Sequence, residues 1–268
     1  MSTKMKDKKI AIIGCGNLGL SILNGLLATQ IIPPSNITVT RRNINALEEL
    51  RETGVKISND NAIAIRDSKI IIIALKPYNI LEVLKELKTH FVSEKHILVS
   101  LATGISLQQI QNTINISIPL FRAMPNTGAD VGVSMTCISS NTNDIEAHNS
   151  IKSCFNSIGK TITIDESLMD SATVLGACGI AFVLRFIRGM IQGGIQIGFD
   201  SNTATEIVAH TVKGAAELLI ERGEHPEYEI DKVTTPKGCT IVGLNEMEHN
   251  GFSSSLIKGI VSSFDKII

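Results

Sequence analysis

The chain has no tryptophan, only two tyrosines, and no charged residue between Ile10 and Thr40. A 268-residue protein that is 43% hydrophobic but only 4% aromatic must fill its interior with Ile, Leu, Val and small residues. Neither sign of charge is in excess: 25 Lys and Arg stand against 26 Asp and Glu, for a net charge of -1. There is thus no electrostatic reason to expect nucleic acid or an anionic membrane as partner. The five cysteines, at 15, 137, 154, 178 and 239, contain no C-x-x-C pair, and the six histidines form neither H-x-x-x-H nor a Cys/His cluster. No metal is expected. The apolar run ahead of Gly14 is four residues long, whereas a secretory h-region needs about 7–15. The thiols are therefore read as reduced and the protein as cytoplasmic. Glycines, asparagines and Pro33-Pro34 interrupt the uncharged stretch, which argues against a continuous membrane helix of ~20 residues.

What is present is organised around 8–27, KKIAIIGCGNLGLSILNGLL. A short apolar strand breaks at Gly14, and a helical pattern of leucines follows. This is G-x-G-x-x-G between a strand and a helix, the context a dinucleotide-binding loop requires. Gly14 permits the tight turn, Gly16 lets the backbone approach a pyrophosphate, and Gly19 lets helix and strand pack closely. Asn17 and Leu18 lie between them, where the free N–H groups of the helix start face an anion.

The first ~165 residues alternate strand and helix signals, which predicts a doubly wound, mostly parallel sheet. Strands are expected at 10–13, 37–40, 56–58, 69–75, 96–102 and 118–124, with edge strands at 131–138 and 161–164. Helices are expected at 45–53, 61–66, 81–87, 106–113 and 144–158. After Asp165 the β signals vanish. Residues 166–199 read as one apolar helix rich in Gly and Ala, followed by helices at 203–222, 238–249 and 253–266. The longest uncharged run there, 171–184, is 14 residues, short of a span. Two domains are expected, 1–165 and 166–268, the second all-α. Its apolar surface is expected to be buried against a second subunit, with a helical cap on a monomer as the competing reading.

An NAD site usually places Asp or Glu about 20 residues past the glycines to bind the ribose 2′-OH. Here the second strand ends Val39-Thr40-Arg41-Arg42-Asn43 without a carboxylate. A hydroxyl and two guanidiniums suit a 2′-phosphate, so NADPH is expected over NADH. Ligands in such sheets lie beyond the carboxyl ends of the strands, at Ala74-Leu75-Lys76-Pro77, Ala102-Thr103-Gly104 and Met124-Pro125-Asn126. Lys76 is either catalytic or a solvated loop lysine. In the helical half, 233–240 is a polar loop entering a helix. The amides of Gly238, Cys239 and Thr240 there either hold an anion such as a carboxylate or start a helix capped by Thr235 or Thr240.

GCGNLG at 14–19, ALKP at 74–77, SLATG at 100–104, RAMPN at 122–126 and HPEYEIDKVTTPKGCT at 225–240 together resemble the pyrroline-5-carboxylate reductase family, in its order and spacing over essentially the whole chain. The resemblance implies an N-terminal Rossmann domain followed by a helical dimerisation domain, with dimers often assembling further. It implies reduction of 1-pyrroline-5-carboxylate to L-proline with NADPH or NADH, the last step of proline biosynthesis. By matching position, Asn61, 74–77 and 101–103 would touch the cofactor. Glu166, Lys232, Cys239 and Thr240 would line the substrate site, formed across the dimer interface. For the reaction, the Gly238–Thr240 amides are expected to hold the substrate carboxylate and the Thr240 hydroxyl to orient the imine nitrogen.

The chain departs from the family pattern in three places. Thr235-Pro236-Lys237-Gly238 stands where Ser-Pro-Gly-Gly is usual. Gly176-Ala177-Cys178-Gly179-Ile180-Ala181-Phe182 replaces Ser-Gly-Ser-Gly-Pro-Ala-Tyr, and Lys232 replaces Asn. Two other readings remain: another NADP-linked reductase or dehydrogenase of the same plan, and a non-catalytic NADP-binding sensor. The hydroxyacid dehydrogenases use a lysine on the helix after the first domain, and 166–199 contains none.

Overall fold

The computed structural model describes residues 3–267; the outermost residues of the two expected domain ranges lie outside the described residues. Elements in chain order are α1 (Thr3–Lys6), β1 (Ile10–Ile13), α2 (Asn17–Thr29), β2 (Ile37–Thr40), β3 (Lys56–Ser58), α3 (Asn61–Arg66), β4 (Ile70–Ile73), α4 (Pro77–Leu87), β5 (Ile97–Ser100), α5 (Leu107–Ile114), β6 (Leu120–Met124), β7 (Ser134–Ser140), α6 (Ile145–Asn156), β8 (Gly159–Thr163), α7 (Met169–Ala172), α8 (Gly179–Gln196), α9 (Ser201–Arg222), α10 (Pro226–Val233), α11 (Cys239–His249) and α12 (Phe252–Asp265). The strands form one eight-stranded sheet ordered β3-β2-β1-β4-β5-β6-β7-β8. All neighbours are parallel except β6 and β7.

The central strands are apolar along their whole length because both faces are covered. β4 is four isoleucines, each fully buried. Alternation sorts them: Ile10, Ile70 and Ile72 pack with Ile22, Leu23 and Leu26 of α2 on one face. Ala11, Ile13, Ile71 and Ile73 pack with Ile80 and Leu84 of α4 and Ile110 of α5 on the other. At about 1.5–3 kcal/mol per fully buried side chain, these strands anchor the sheet. β1 and β4 are adjacent in register, Ile13 opposite Ile73, and the strand order reverses between them. That places the switch point at the end of β1.

Several boundaries differ from the sequence expectation. α4 begins at Pro77 rather than 81, because Pro lacks only an N–H that the first turn leaves unpaired in any case. Ile44–Thr53 is a 3-10 helix whose single buried residue is Leu47. A 3-10 turn, Thr127–Val131, precedes β7, so that strand starts at Ser134. α10 was not expected. Its signals were Pro226 at N1, Glu227 and Glu229 in the first turn and Lys232 in the last, with His225 as N-cap.

The chain divides into two compact units, the first extending to Cys178 and the second covering Gly179–Lys266. The helical run Glu166–Gln196 is 31 residues, long and apolar enough to cross a membrane, with 11% of its most apolar window buried. The 14-residue uncharged run underestimated it, since Arg185 and Arg188 do not end the helix. Within this run Thr173–Cys178 adopts a π-helical register.

Candidate functional site

The glycine loop leaves the end of β1 at the switch point. Gly14 has φ +86, a conformation that strains any other residue, and a Cβ there would press on the Leu75 side chain and lie 3.0 Å from Ala74 O. A Cβ on Gly16 would meet nothing within 4 Å; its face is open, as an approaching phosphate requires. A Cβ on Gly19 would come 3.2 Å from Gly14 O and 3.3 Å from Ile12 Cγ2, which is the close helix–strand packing expected of the third glycine. Gly16 caps α2 without a side-chain acceptor, so the amides of Asn17, Leu18 and Gly19 in its first turn have no intrahelical partner. Cys15, inside the loop, is fully buried. Burial pushes its thiol up to about 11, with a smaller opposing pull from Arg41, so it is an inert filler.

Thr40 closes the loop from β2. Its carbonyl accepts from Gly14 N at 3.2 Å and Cys15 N at 2.8 Å. Its hydroxyl donates to Asn61 Oδ1 at 2.6 Å and accepts from Gly14 N at 3.4 Å. Thr40 is 1% exposed. The hydroxyl expected to face a 2′-phosphate is thus spent inside the protein, and Thr40 and Asn61 support the loop. Arg41, half-buried, and Arg42, exposed, follow, and neither pairs with a carboxylate among the described residues.

The neighbouring strand ends converge on this loop through backbone bonds: Ala74 N donates to Ile13 O at 2.8 Å and Leu101 N to Ile73 O at 3.1 Å. Ala74 and Leu75 are half-buried, whereas Lys76 and Pro77 are exposed. Lys76 precedes α4 and makes no side-chain hydrogen bond or ion pair among the described residues. Leu101 and Ala102 are buried and Thr103 half-buried.

Glu166 sits at a junction. One carboxylate oxygen, Oε1, accepts from Leu107 N at 2.6 Å, at the start of α5, and from Arg122 Nη1 at 3.2 Å. Arg122 is 4% exposed on β6 and also lies 3.5 Å from Asp170 Oδ1. Glu166 was expected to line the substrate site; here that oxygen already ties 107, 122 and the head of the helical run together. Sequence reasoning missed Arg122 and Asp170. The signal was a lone arginine inside the apolar strand LFRAM, which a buried charge needs a partner to tolerate.

In the second unit, Lys232 pairs with Glu229 at 2.8 Å and stacks 4.0 Å from the Tyr228 ring centroid. Glu229 also holds Arg222 at 2.9 Å, and these contacts hold its carboxyl below the usual range. Thr235 to Gly238 is a turn: Gly238 N donates to Thr235 O at 2.9 Å and Lys237 has φ +62, with Pro at the second position, as in type II. The Gly238 amide, expected to meet a substrate carboxylate, is engaged in closing this turn. Gly238 caps α11 without a side-chain bond. The amides of Cys239 and Thr240 therefore remain without intrahelical partners, and neither Thr235 nor Thr240 acts as the cap. Cys239 is exposed and Thr240 half-buried.

A glycine loop at the switch point of a parallel sheet, with no carboxylate closing β2, defines a dinucleotide-binding α/β protein carrying an additional all-helical unit. Residues 9–104 match the family described as NADP oxidoreductase, coenzyme F420-dependent, and 166–267 match pyrroline-5-carboxylate reductase dimerisation. The chain is 43% identical to pyrroline-5-carboxylate reductase 1 of Dictyostelium discoideum over 98% of its own length, spanning 50% of that protein. It is 40% identical to pyrroline-5-carboxylate reductase 2 of the same organism, over 99% of this chain and 94% of the other. Among solved structures, Plasmodium falciparum pyrroline carboxylate reductase with NADP bound is similar at TM-score 0.88 and 25% identity, covering 98% of each chain. The chain belongs to the pyrroline-5-carboxylate reductase family.

Proposed function

We propose that the protein reduces 1-pyrroline-5-carboxylate to L-proline with NADPH, the final step of proline biosynthesis. The observation that carries this is the pair of sites on one chain: a glycine loop with an open Gly16 face, and free first-turn amides at Cys239 and Thr240. Family membership supplies the reaction. The first-turn amides of α2 would hold the pyrophosphate, with Gly14, Gly16, Asn17, Leu18 and Gly19 shaping its bed. Arg41 and Arg42 would hold the 2′-phosphate, and 74–77 and 101–103 would border the remaining cofactor groove. Asn61 and Thr40 support the loop from behind.

When bound, NADPH supplies a hydride to the imine carbon. The substrate's cyclic C=N is a much better acceptor once protonated, so the protein needs little acid catalysis beyond accepting the iminium. The amides of Cys239 and Thr240 hold the substrate carboxylate. The Thr240 hydroxyl, which makes no hydrogen bond among the described residues, orients the ring nitrogen. The bond formed is C–H at the imine carbon; the C=N π pair returns to nitrogen, which keeps the proton it already carried, and the product leaves as the secondary amine. Lys232 lies on the helix leading into this loop, and Glu166 contributes through the junction it forms with Arg122.

The functional boundary falls at 165/166, where the helical run begins. The second unit forms a homodimer. Leu184, Ile197, Ile220, Val242 and Ile257 are 58%, 78%, 66%, 65% and 60% exposed, an apolar surface of the kind that a partner covers. Dimers assembling further, and residence in the cytoplasm with all five thiols free, complete the reading.

The test is NADPH oxidation by purified protein with and without pyrroline-5-carboxylate, followed at 340 nm with proline quantified. Substrate-dependent turnover is expected, and Thr240→Ala should lower kcat ~10²-fold. Tight NADPH binding without turnover would discard the substrate assignment and favour another NADP-linked reductase or a sensor.

A further inference from the structure

The strand end Met124-Pro125-Asn126 follows the carboxyl end of β6, on the same edge of the sheet as the glycine loop, and Asn126 does more there than end a strand. It is 9% exposed. Its backbone N–H donates to Ser134 Oγ at 3.0 Å. Its side-chain Oδ1 accepts from Gly128 N at 3.0 Å, capping the 3-10 turn Thr127–Val131. Its side-chain Nδ2 donates to Gly176 O at 3.2 Å, across fifty residues of sequence.

Gly176 lies inside the π-helical stretch Thr173–Cys178. A π register widens the helix by one residue per turn and is uncommon; it persists where side chains or function hold it. Here Thr173 and Val174 are buried, whereas Leu175 is 70% exposed. Asn126 is the only side chain that hydrogen-bonds a carbonyl of this stretch from outside the helical run among the described residues. The amide therefore has two separable jobs: the oxygen serves a local turn, and the nitrogen holds the π stretch to the end of β6.

We propose that Asn126 is a positioning residue for hydride transfer, acting through its Nδ2–Gly176 O bond to fix the π stretch relative to the cofactor groove. This rests on the reductase reading above. The chemistry of the amide makes the idea testable, since an aspartate keeps the accepting oxygen and loses the donor.

The experiment compares Asn126→Asp and Asn126→Ala with wild type. Both variants should lose ~10²-fold in kcat, the scale of a misplaced reacting group, with the KM for NADPH changed much less. Asn126→Asp keeps the turn cap but sets a carboxylate oxygen against the Gly176 carbonyl, so its melting point should fall at neutral pH and rise as the carboxyl is protonated. Its kcat relative to wild type should recover as pH falls and the introduced carboxyl gains a proton to donate. Backbone amide exchange across 173–182 should accelerate in both variants, a readout independent of turnover. Unchanged exchange there, or an Asn126→Asp enzyme with wild-type kcat, would overturn the proposal. A wild-type protein that fails to reduce pyrroline-5-carboxylate would instead overturn the reductase reading, and the exchange data would still test the Asn126 contact.

Discussion

The Thr40 hydroxyl and Asn61 Oδ1 meet at 2.6 Å behind the glycine loop, so a hydroxyl that the sequence offers to a phosphate also braces the loop from inside. Thr40→Val keeps the shape and removes this brace, leaving the Asn61 oxygen without its donor while Gly14 N–H keeps the Thr40 carbonyl. The expected loss is about 1–3 kcal/mol, or several degrees in Tm at roughly 2–4 °C per kcal/mol for a domain of this size. NADPH affinity should weaken with it. A melting curve and a fluorescence titration check both, and an unchanged Tm would mean the hydroxyl faces the ligand instead.

Arg41 and Arg42 are the residues proposed to set the nucleotide preference. Each guanidinium without an internal carboxylate partner is available to the 2′-phosphate, and a charge-assisted bond is worth about 1.5–3 kcal/mol. The double variant Arg41→Ala/Arg42→Ala should lower kcat/KM for NADPH by at least about tenfold while leaving NADH nearly unchanged. An equal fall with both nucleotides would assign the arginines to folding.

Lys237 occupies the left-handed region at φ +62, where a side chain costs about 1–2 kcal/mol. Lys237→Gly should therefore stabilise the protein, offset in part by the extra unfolded-state entropy of glycine, for a net gain of about 0.5–1 kcal/mol. Lys237→Val, with a β-branched side chain, should destabilise it. Chemical denaturation midpoints of the two variants should move in opposite directions.

His96 governs part of the acid response. It is 1% exposed, accepts from Val92 N at 3.0 Å through Nδ1, and leaves Nε2 buried without a partner. Burial, with a smaller push from Lys95, lowers it to about 4 from an ordinary 6.5. A depressed base stays neutral in the folded state while the unfolded chain takes up a proton. Its contribution is therefore complete above about pH 6.5 and is lost as pH falls toward 4. Stability measured across that window should decline in wild type and flatten in His96→Asn, which preserves an acceptor for Val92 N–H.

Much of the first unit was legible because its signals are local. The four isoleucines of β4 and the glycines at 14, 16 and 19 state their environment in their own spacing. The helix at 226–233 has its start marked by His225, Pro226 and Glu227, but with only Tyr228, Ile230 and Val233 apolar beyond the proline it shows little helical periodicity. The strand expected from 131 began at Ser134 because Asn126 and Gly132, the latter at φ +74, first close a turn.

The sequence by itself determined the alternating sheet, the dinucleotide loop, the missing carboxylate after β2, and the change to helices past Asp165. Each follows from residues a few positions apart. Only the tertiary structure decided that Thr40 faces inward to Asn61 and that Gly238 spends its amide on Thr235. It also decided that Glu166 joins Leu107 to Arg122 across separations of 59 and 44 residues, and that Asn126 reaches Gly176. The physical reason is that a polar atom's partner is set by strand order and by where helices dock. Two chemically identical donors in the sequence become a ligand contact or an internal brace according to which side of that packing they fall on.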